Sequence, residues 1–213
     1  MMKRILVVIF AAGWTSIAMS TPAAIAAEAK DKSWPCIQRK VPEISIGMVW
    51  SGPEFKVDDQ AWKRTEGVAE LVKVTTSRRN SIEDAKTAID KFLDAFKGDT
   101  KSTLTQVFTG LFQTINGERR EIITGIERYA RQQLVLAKRI KTLTKELYGL
   151  TASGAEPTPE QSKRIDEINE KFNWDMRIFD ERQQSLTYVC ETPVLLEQRL
   201  FALGRHIVQH LEQ

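Results

Sequence analysis

The chain has little of what chemistry usually needs: two cysteines, two histidines and three tyrosines in 213 residues. Cysteines 154 positions apart cannot form the Cys-x-x-Cys pair that lowers a thiol pKa for redox exchange, nor the Cys-x-x-Cys-His of covalent haem attachment. Neither His206 nor His210 follows a glutamate by three positions, so the paired Glu-x-x-His ligands of a di-iron bundle are missing. The phosphate-binding glycine loops, His-Glu-x-x-His and the strained Gly-x-Ser-x-Gly elbow are absent too. The chain therefore reads as a non-enzyme, and no cofactor is implied.

Long apolar runs are also lacking. Residues 1–26 have a basic start (Lys3, Arg4), an apolar stretch from Ile5 to Ala12 and small residues ending in Ala24-Ile25-Ala26, the plan of a cleaved secretory signal. Gly13, Thr15, Ser16 and Ser20 interrupt it, whereas a membrane helix needs about 17 to 25 apolar residues in sequence. Cleavage is expected after Ala26, with Ala27 as second choice, leaving a periplasmic or secreted protein without stable membrane insertion. Loss of Lys3 and Arg4 takes the formal charge from +3 to +1. A nucleic-acid ligand would call for a dense basic patch, so none is expected.

In an oxidising compartment the two cysteines, Cys36 and Cys190, default to a disulfide. Residues 27–57 carry Pro35, Pro42, Gly47, Gly52 and Pro53, which break helices before they nucleate. With Trp34, Val49, Trp50 and Phe55 they read as an irregular lid over a helical core, tethered through Cys36.

Residues 58–213 read as all-α. Asp58 or Asp59 is placed to cap a helix running to about Ser77, and Asn80 or Ser81 a second one ending at Gly98. A much longer pattern starts near Leu104 and runs by steps of three and four through Phe108, Leu111, Ile115, Glu118, Ile122, Ile126, Tyr129, Gln133, Leu136, Ile140, Leu143 and Leu147 to Leu150. An extra four-residue step before Ile126 is a stutter, flanked by Gly117 and Gly125. After a Gly/Pro turn over 149–159, Thr158-Pro159-Glu160-Gln161 starts another helix, whose pattern runs from Ile165 to Leu211. Pro193 lies inside that pattern and predicts a kink or short break near Cys190–Pro193, with Thr192 able to re-cap the chain.

Centring the turn near Gly154 pairs the two long patterns antiparallel, with Ile126 opposite Leu186 and Ile122 near Cys190. Below that height Val107, Phe108, Leu111 and Phe112 and, on the other helix, Leu195, Leu196, Leu200 and Phe201 make wide apolar faces that can receive the two short helices as a four-helix bundle. Above it, over about 123–189, the seam narrows to the pattern of a projecting two-stranded coiled coil. Glu118–Glu146 carries eight bases against four acids, and Glu156–Arg182 eight acids against five bases. Opposite signs at flanking positions favour pairing within one chain.

His206 and His210, at i and i+4, share a helix face and could hold a metal if a third ligand joined them. Glu197 and Glu212 are the sequence neighbours available. Trp174, two positions beyond Phe172, points away from the seam, and an exposed tryptophan is a typical interface anchor. Thr151, Ser153, Glu156 and Thr158 mark the tip. The resulting expectation is an exported helical protein that binds, bridges or chaperones an envelope or exported partner, with self-association as a further possibility. The alternative is a metal- or small-ligand-binding bundle that uses His206 and His210.

Overall fold

A computed structural model describes residues 34–56 and 59–212; the expected signal, its cleavage site and residues 27–33 of the lid lie outside them. Within the described residues there are helices and no strand: α1 (Ile46–Val49), a single 3-10 turn (Ala61–Lys63), α2 (Val68–Thr76), α3 (Ile82–Ala95), α4 (Thr100–Thr151) and α5 (Pro159–Leu211). The last two contain 52 and 53 residues, about 80 Å each at 1.5 Å per residue.

The helix expected from Asp58 onward is instead divided. The Asp59 carboxylate accepts from the amide of Ala61 at 2.8 Å and starts only the 3-10 turn. Gly67, at φ 75°, then resets the chain before α2. A left-handed residue stops helix propagation and favours glycine, and here the Phe92 ring lies 2.9 Å from where a Cβ would sit. The capping of α3 falls to Ser81, whose hydroxyl accepts from Asp84 N while the Asp84 side chain accepts from Ser81 N, a reciprocal capping box. That helix stops at Ala95, where Phe96 turns extended, three residues short of Gly98.

Helix α4 begins on Asp99, whose side chain accepts from Lys101 N and Ser102 N. It passes through Gly117 and Gly125 without a break; nothing lies within 4 Å of either missing Cβ, so these glycines cost only intrinsic propensity, about 1 kcal/mol each. After a turn with Gly154 at φ 65°, Thr158 and Gln161 form a second capping box with Pro159 in the first helical turn.

The expected break at Pro193 does not occur: α5 is continuous from Pro159 to Leu211. A proline in a helix deprives the carbonyl four residues earlier of its donor. Here that carbonyl belongs to Val189, a residue 41% exposed. The Pro193 carbonyl accepts from the buried Arg119 Nε at 3.3 Å. Thr192 does not re-cap the chain; its hydroxyl bonds back to the Tyr188 carbonyl within the helix.

α4 and α5 pack on each other. Glu146 meets Arg164, Gln133 Nε2 donates to the Phe179 carbonyl at 3.1 Å, the Tyr129 hydroxyl to the Arg182 carbonyl at 3.4 Å, and Arg119 to Pro193. Numbers fall along one helix as they rise along the other, so the two run in opposite directions.

The main core joins residues 104–115 of α4 and 196–211 of α5 to α2, α3 and the segment around Trp50. Trp50 stacks on Phe108 with ring centroids 4.0 Å apart, and Ile44 N donates to Asn116 Oδ1 at 3.0 Å. At Gly204 a Cβ would lie 2.5 Å from the Val49 carbonyl oxygen; only glycine lets α1 come this close. A second, smaller cluster holds Ile126, Leu186, Cys36 and Cys190, with Ile122, Tyr129 and Trp34 against it. Cys36 and Cys190 are disulfide-bonded, with their Cα atoms 5.5 Å apart. Among the described residues no helix is long and apolar enough to cross a membrane.

The bond closes a loop of 154 residues, for which chain entropy alone gives about 4 to 5 kcal/mol and typical removals cost about 2 to 5 kcal/mol. Reduction, or the pair Cys36→Ser and Cys190→Ser, is expected to lower the urea midpoint by a matching amount with helical circular dichroism retained in buffer. An unchanged midpoint contradicts it.

Candidate functional site

Burial along the long helices is uneven. α4 is buried as far as Leu136 and α5 from Ile168 onward, and between those positions every residue is half-buried or exposed. Past Tyr129 and before Leu186 the pair contributes to neither apolar cluster. Its inner positions there hold Ala130, Gln133, Leu136, Ile168 and Asp175, a mixture of small, polar and apolar groups.

Asp175 is the least expected of these. Its carboxylate is 5% exposed and is paired by the Arg139 guanidinium reaching across from α4. The pair raises the Arg139 pKa, chiefly through the hydrogen bond to Asp175. Cross-helix pairing has only partly the expected sign. Arg139 with Asp175 fits a basic α4 facing an acidic α5, but Glu146 with Arg164 reverses it. Other acids of α4 are taken from outside the pair, Glu127 by Lys40 and Glu118 by Arg78.

Beside Asp175, Trp174 is 60% exposed and lines a groove of about 720 Å³ with Arg139, Leu143, Glu170, Lys171, Asn173 and Arg177. A second groove, of about 420 Å³, continues along the pair between Arg128, Arg131, Val135, Arg139, Ile178 and Arg182. Val135 and Tyr148 are more exposed still, at 71% and 72%. An indole and an isopropyl group therefore stand among guanidinium groups on an open face.

Of the tip residues, Thr151 bonds back to the Leu147 carbonyl, Ser153 accepts from Ala155 N at 3.4 Å and Thr158 caps α5. Their hydroxyls serve the turn, while Glu156 is exposed. Thus Trp174 lies on a groove face and the tip residues in a self-bonded turn.

At the other end of α5, the two histidines meet a residue the sequence did not single out. Asp90, on α3, receives both: its Oδ1 lies 2.6 Å from His206 Nε2 and 2.8 Å from His210 Nε2. The rings stand nearly perpendicular, 85° apart, with centroids at 4.9 Å. Partial burial pushes the Asp90 carboxyl up, but the hydrogen bonds and positive charge of the two histidines outweigh it and hold the group below its ordinary value. Glu197 is not a neighbour of this group; it pairs with Arg119 at 3.5 Å.

Two buried arginines also escaped the periodicity. Arg119 bonds the Val41 and Pro193 carbonyls, and Arg199 bonds Thr75 O at 2.7 Å and Asn80 O at 2.8 Å. The latter places a cation at the C-terminal end of α2, the favourable end of its dipole. Burial lowers the pKa of both guanidinium groups. Searches against protein-family models, curated proteins and solved structures find no match for this chain.

Replacing Arg139 by methionine leaves the Asp175 carboxylate buried without its partner, and is expected to cost about 1 to 3 kcal/mol. The double change Arg139→Met with Asp175→Leu recovers most of that in a urea denaturation series; equal losses in single and double variants contradict the pairing.

Asp84, held below its ordinary value first by the Ser81 hydroxyl and then by the Ser81 amide, gives a pH dependence to the start of α3. A carboxyl depressed in the folded state stabilises it above the unfolded pKa and loses that effect as pH falls through the folded pKa. The stability difference between wild type and Asp84→Asn is therefore expected to hold above about pH 4 and to shrink below it. A difference that grows with acid contradicts the cap.

Proposed function

We propose that this is an exported, non-catalytic protein in which the far portions of α4 and α5 form a two-stranded coiled-coil arm that binds and bridges, or chaperones, an envelope or exported partner. In this reading the near halves of the same helical hairpin make a four-helix bundle with α2 and α3, and residues 34–56 are a lid tied down by the disulfide. Export is supported by the leader-like residues 1–26 and by a disulfide, which persists in oxidising compartments.

The observation that carries the reading is the exposed Trp174 on its open groove. Tryptophan exposes a large apolar surface and is enriched among residues that dominate binding energy. Arg177 and Lys171 on the same groove supply cations for carboxylates or backbone carbonyls, while the Arg139 guanidinium is held by Asp175. A partner presenting an apolar side chain flanked by acids fits this face. The neighbouring seam is too thinly buried to be a core of its own, which leaves contact with another molecule as its further source of burial.

The test is site-specific photo-crosslinking in the exported compartment from Ser153, Glu156 and Arg177. A discrete neighbour is expected, and Trp174→Ala is expected to reduce its recovery by tenfold or more, matching a loss of about 2 kcal/mol or more for an interface anchor, with circular dichroism unchanged. Recovery of the chain's own sequence alone would convert the reading to self-association. Equal recovery in wild type and Trp174→Ala, or no discrete neighbour from any position, sinks it.

A further inference from the structure

We propose that Asp90, His206 and His210 form a binding site for a divalent transition metal of the Zn²⁺ class, clamping α3 to the C-terminal end of α5. Three observations converge. The three side chains each offer one ligand atom, and those atoms lie within 4.8 Å of one another. Both imidazoles present the same nitrogen, Nε2, to a single carboxylate oxygen. They come from two separate helices, so their meeting is a product of the fold and not of sequence proximity: the histidines share a face of α5 by i, i+4 spacing, and Asp90 projects from α3 between them.

The distances suit a site that opens slightly to admit an ion. Ligands at about 2.0 to 2.2 Å from a tetrahedral Zn²⁺ lie about 3.3 to 3.5 Å from each other, whereas the nitrogen–oxygen separations are 2.6 and 2.8 Å. An outward shift of about 0.5 to 0.9 Å is needed. The Asp90 side chain, 45% exposed, is the most open of the three and can rotate about its own torsions, and the imidazoles of His206 and His210, at 17% and 26%, turn about theirs to bring both Nε2 atoms onto the ion. The proton accounting closes as well. A neutral imidazole that donates from Nε2 to Asp90 moves that proton to Nδ1 and offers the Nε2 lone pair; an imidazolium releases one proton to solvent.

The donor set selects the metal. Two imidazoles and one carboxylate suit Zn²⁺, Ni²⁺ and Cu²⁺ and are too few and too nitrogen-rich for Ca²⁺ or Mg²⁺. Three protein ligands leave a position open, which water or an anion would fill. The site is thus of the exchangeable kind. Its structural consequence is specific: α3 packs against α2 and α5, and an ion at this point would bind its middle to the last turns of the chain.

Chelator-treated protein titrated with ZnCl₂ by calorimetry at about pH 7.5 is expected to take up one ion per chain. His206→Gln and His210→Gln are each expected to weaken uptake by at least tenfold, the usual scale for disturbing a metal site, and Asp90→Asn to do likewise. Cu²⁺ should bind more tightly than Zn²⁺, and Mg²⁺ not at all. Because a variant could lose its fold, circular dichroism accompanies each, and the wild-type protein loaded with Co²⁺ supplies an independent readout in the visible bands of a nitrogen- and oxygen-ligated ion of low coordination number. Absence of Zn²⁺ uptake by wild type, uptake unchanged in the double variant His206→Gln with His210→Gln, or a Co²⁺ spectrum indistinguishable from the hexaaquo ion each overturns the proposal.

Discussion

The α4–α5 pair is longer than the other described residues cover. Residues 34–56, the 3-10 turn, α2 and α3 supply apolar surface over residues 104–115 and 196–211, and Trp34 and Cys36 extend it to Ile126 and Leu186. Helices gain most of their stability in proteins from burying an apolar face, since nucleation and propensity alone leave isolated helices marginal in water. Where covering surface runs out, the two helices must hold each other. They do so with a sparse seam and with directed polar contacts: Tyr129 and Gln133 to carbonyls of α5, and Arg139 to Asp175. Directed contacts of this kind fix register at little gain in stability, which suits a segment whose outer face is open.

The transition between the two regimes is crowded with devices. Cys36 bonds Cys190, Arg119 ties α4 to Val41 and to Pro193, and Asn116 receives the amide of Ile44. Together they anchor the segment before α1 to both long helices at the height where the main core ends. Pro193 sits within an unbroken α5 with its ring buried and its carbonyl engaged by Arg119. A neutral residue in place of Arg119 would leave the Val41 and Pro193 carbonyls without this donor at a point where α4, α5 and the N-terminal segment meet.

Periodicity in the sequence was enough to read an all-helical fold and two very long helices, and the count of two cysteines in a chain expected to be exported was enough to read their bond. It failed where a single residue's environment decides the outcome. Pro193 read as a break because the sequence does not show that Arg119 would reach it. Gly67 was overlooked because a glycine amid Thr65, Glu66 and Val68 carries no turn signature until Phe92 is seen beside it. The charge argument counted Arg119 among the solvated bases of α4, although it is buried, and could not foresee that Lys40 and Arg78 would take acids of that helix. Asp90 was invisible for the same reason: nothing in its heptad position marks it, and only the packing of α3 on α5 puts its carboxylate between two histidines. Trp174 stood out because its offset from Phe172 is a local property, which periodicity does report.

The central claim is that the long helices are anchored at one end and self-supported at the other. Amide hydrogen exchange at neutral pH reads this directly, since protection follows the free energy of opening each segment. Residues 104–115 and 196–211 are expected to exchange only by global unfolding, and residues 137–150 and 160–167 to exchange orders of magnitude faster by local opening, with intermediate protection near the disulfide. Uniform protection along both helices would contradict the account.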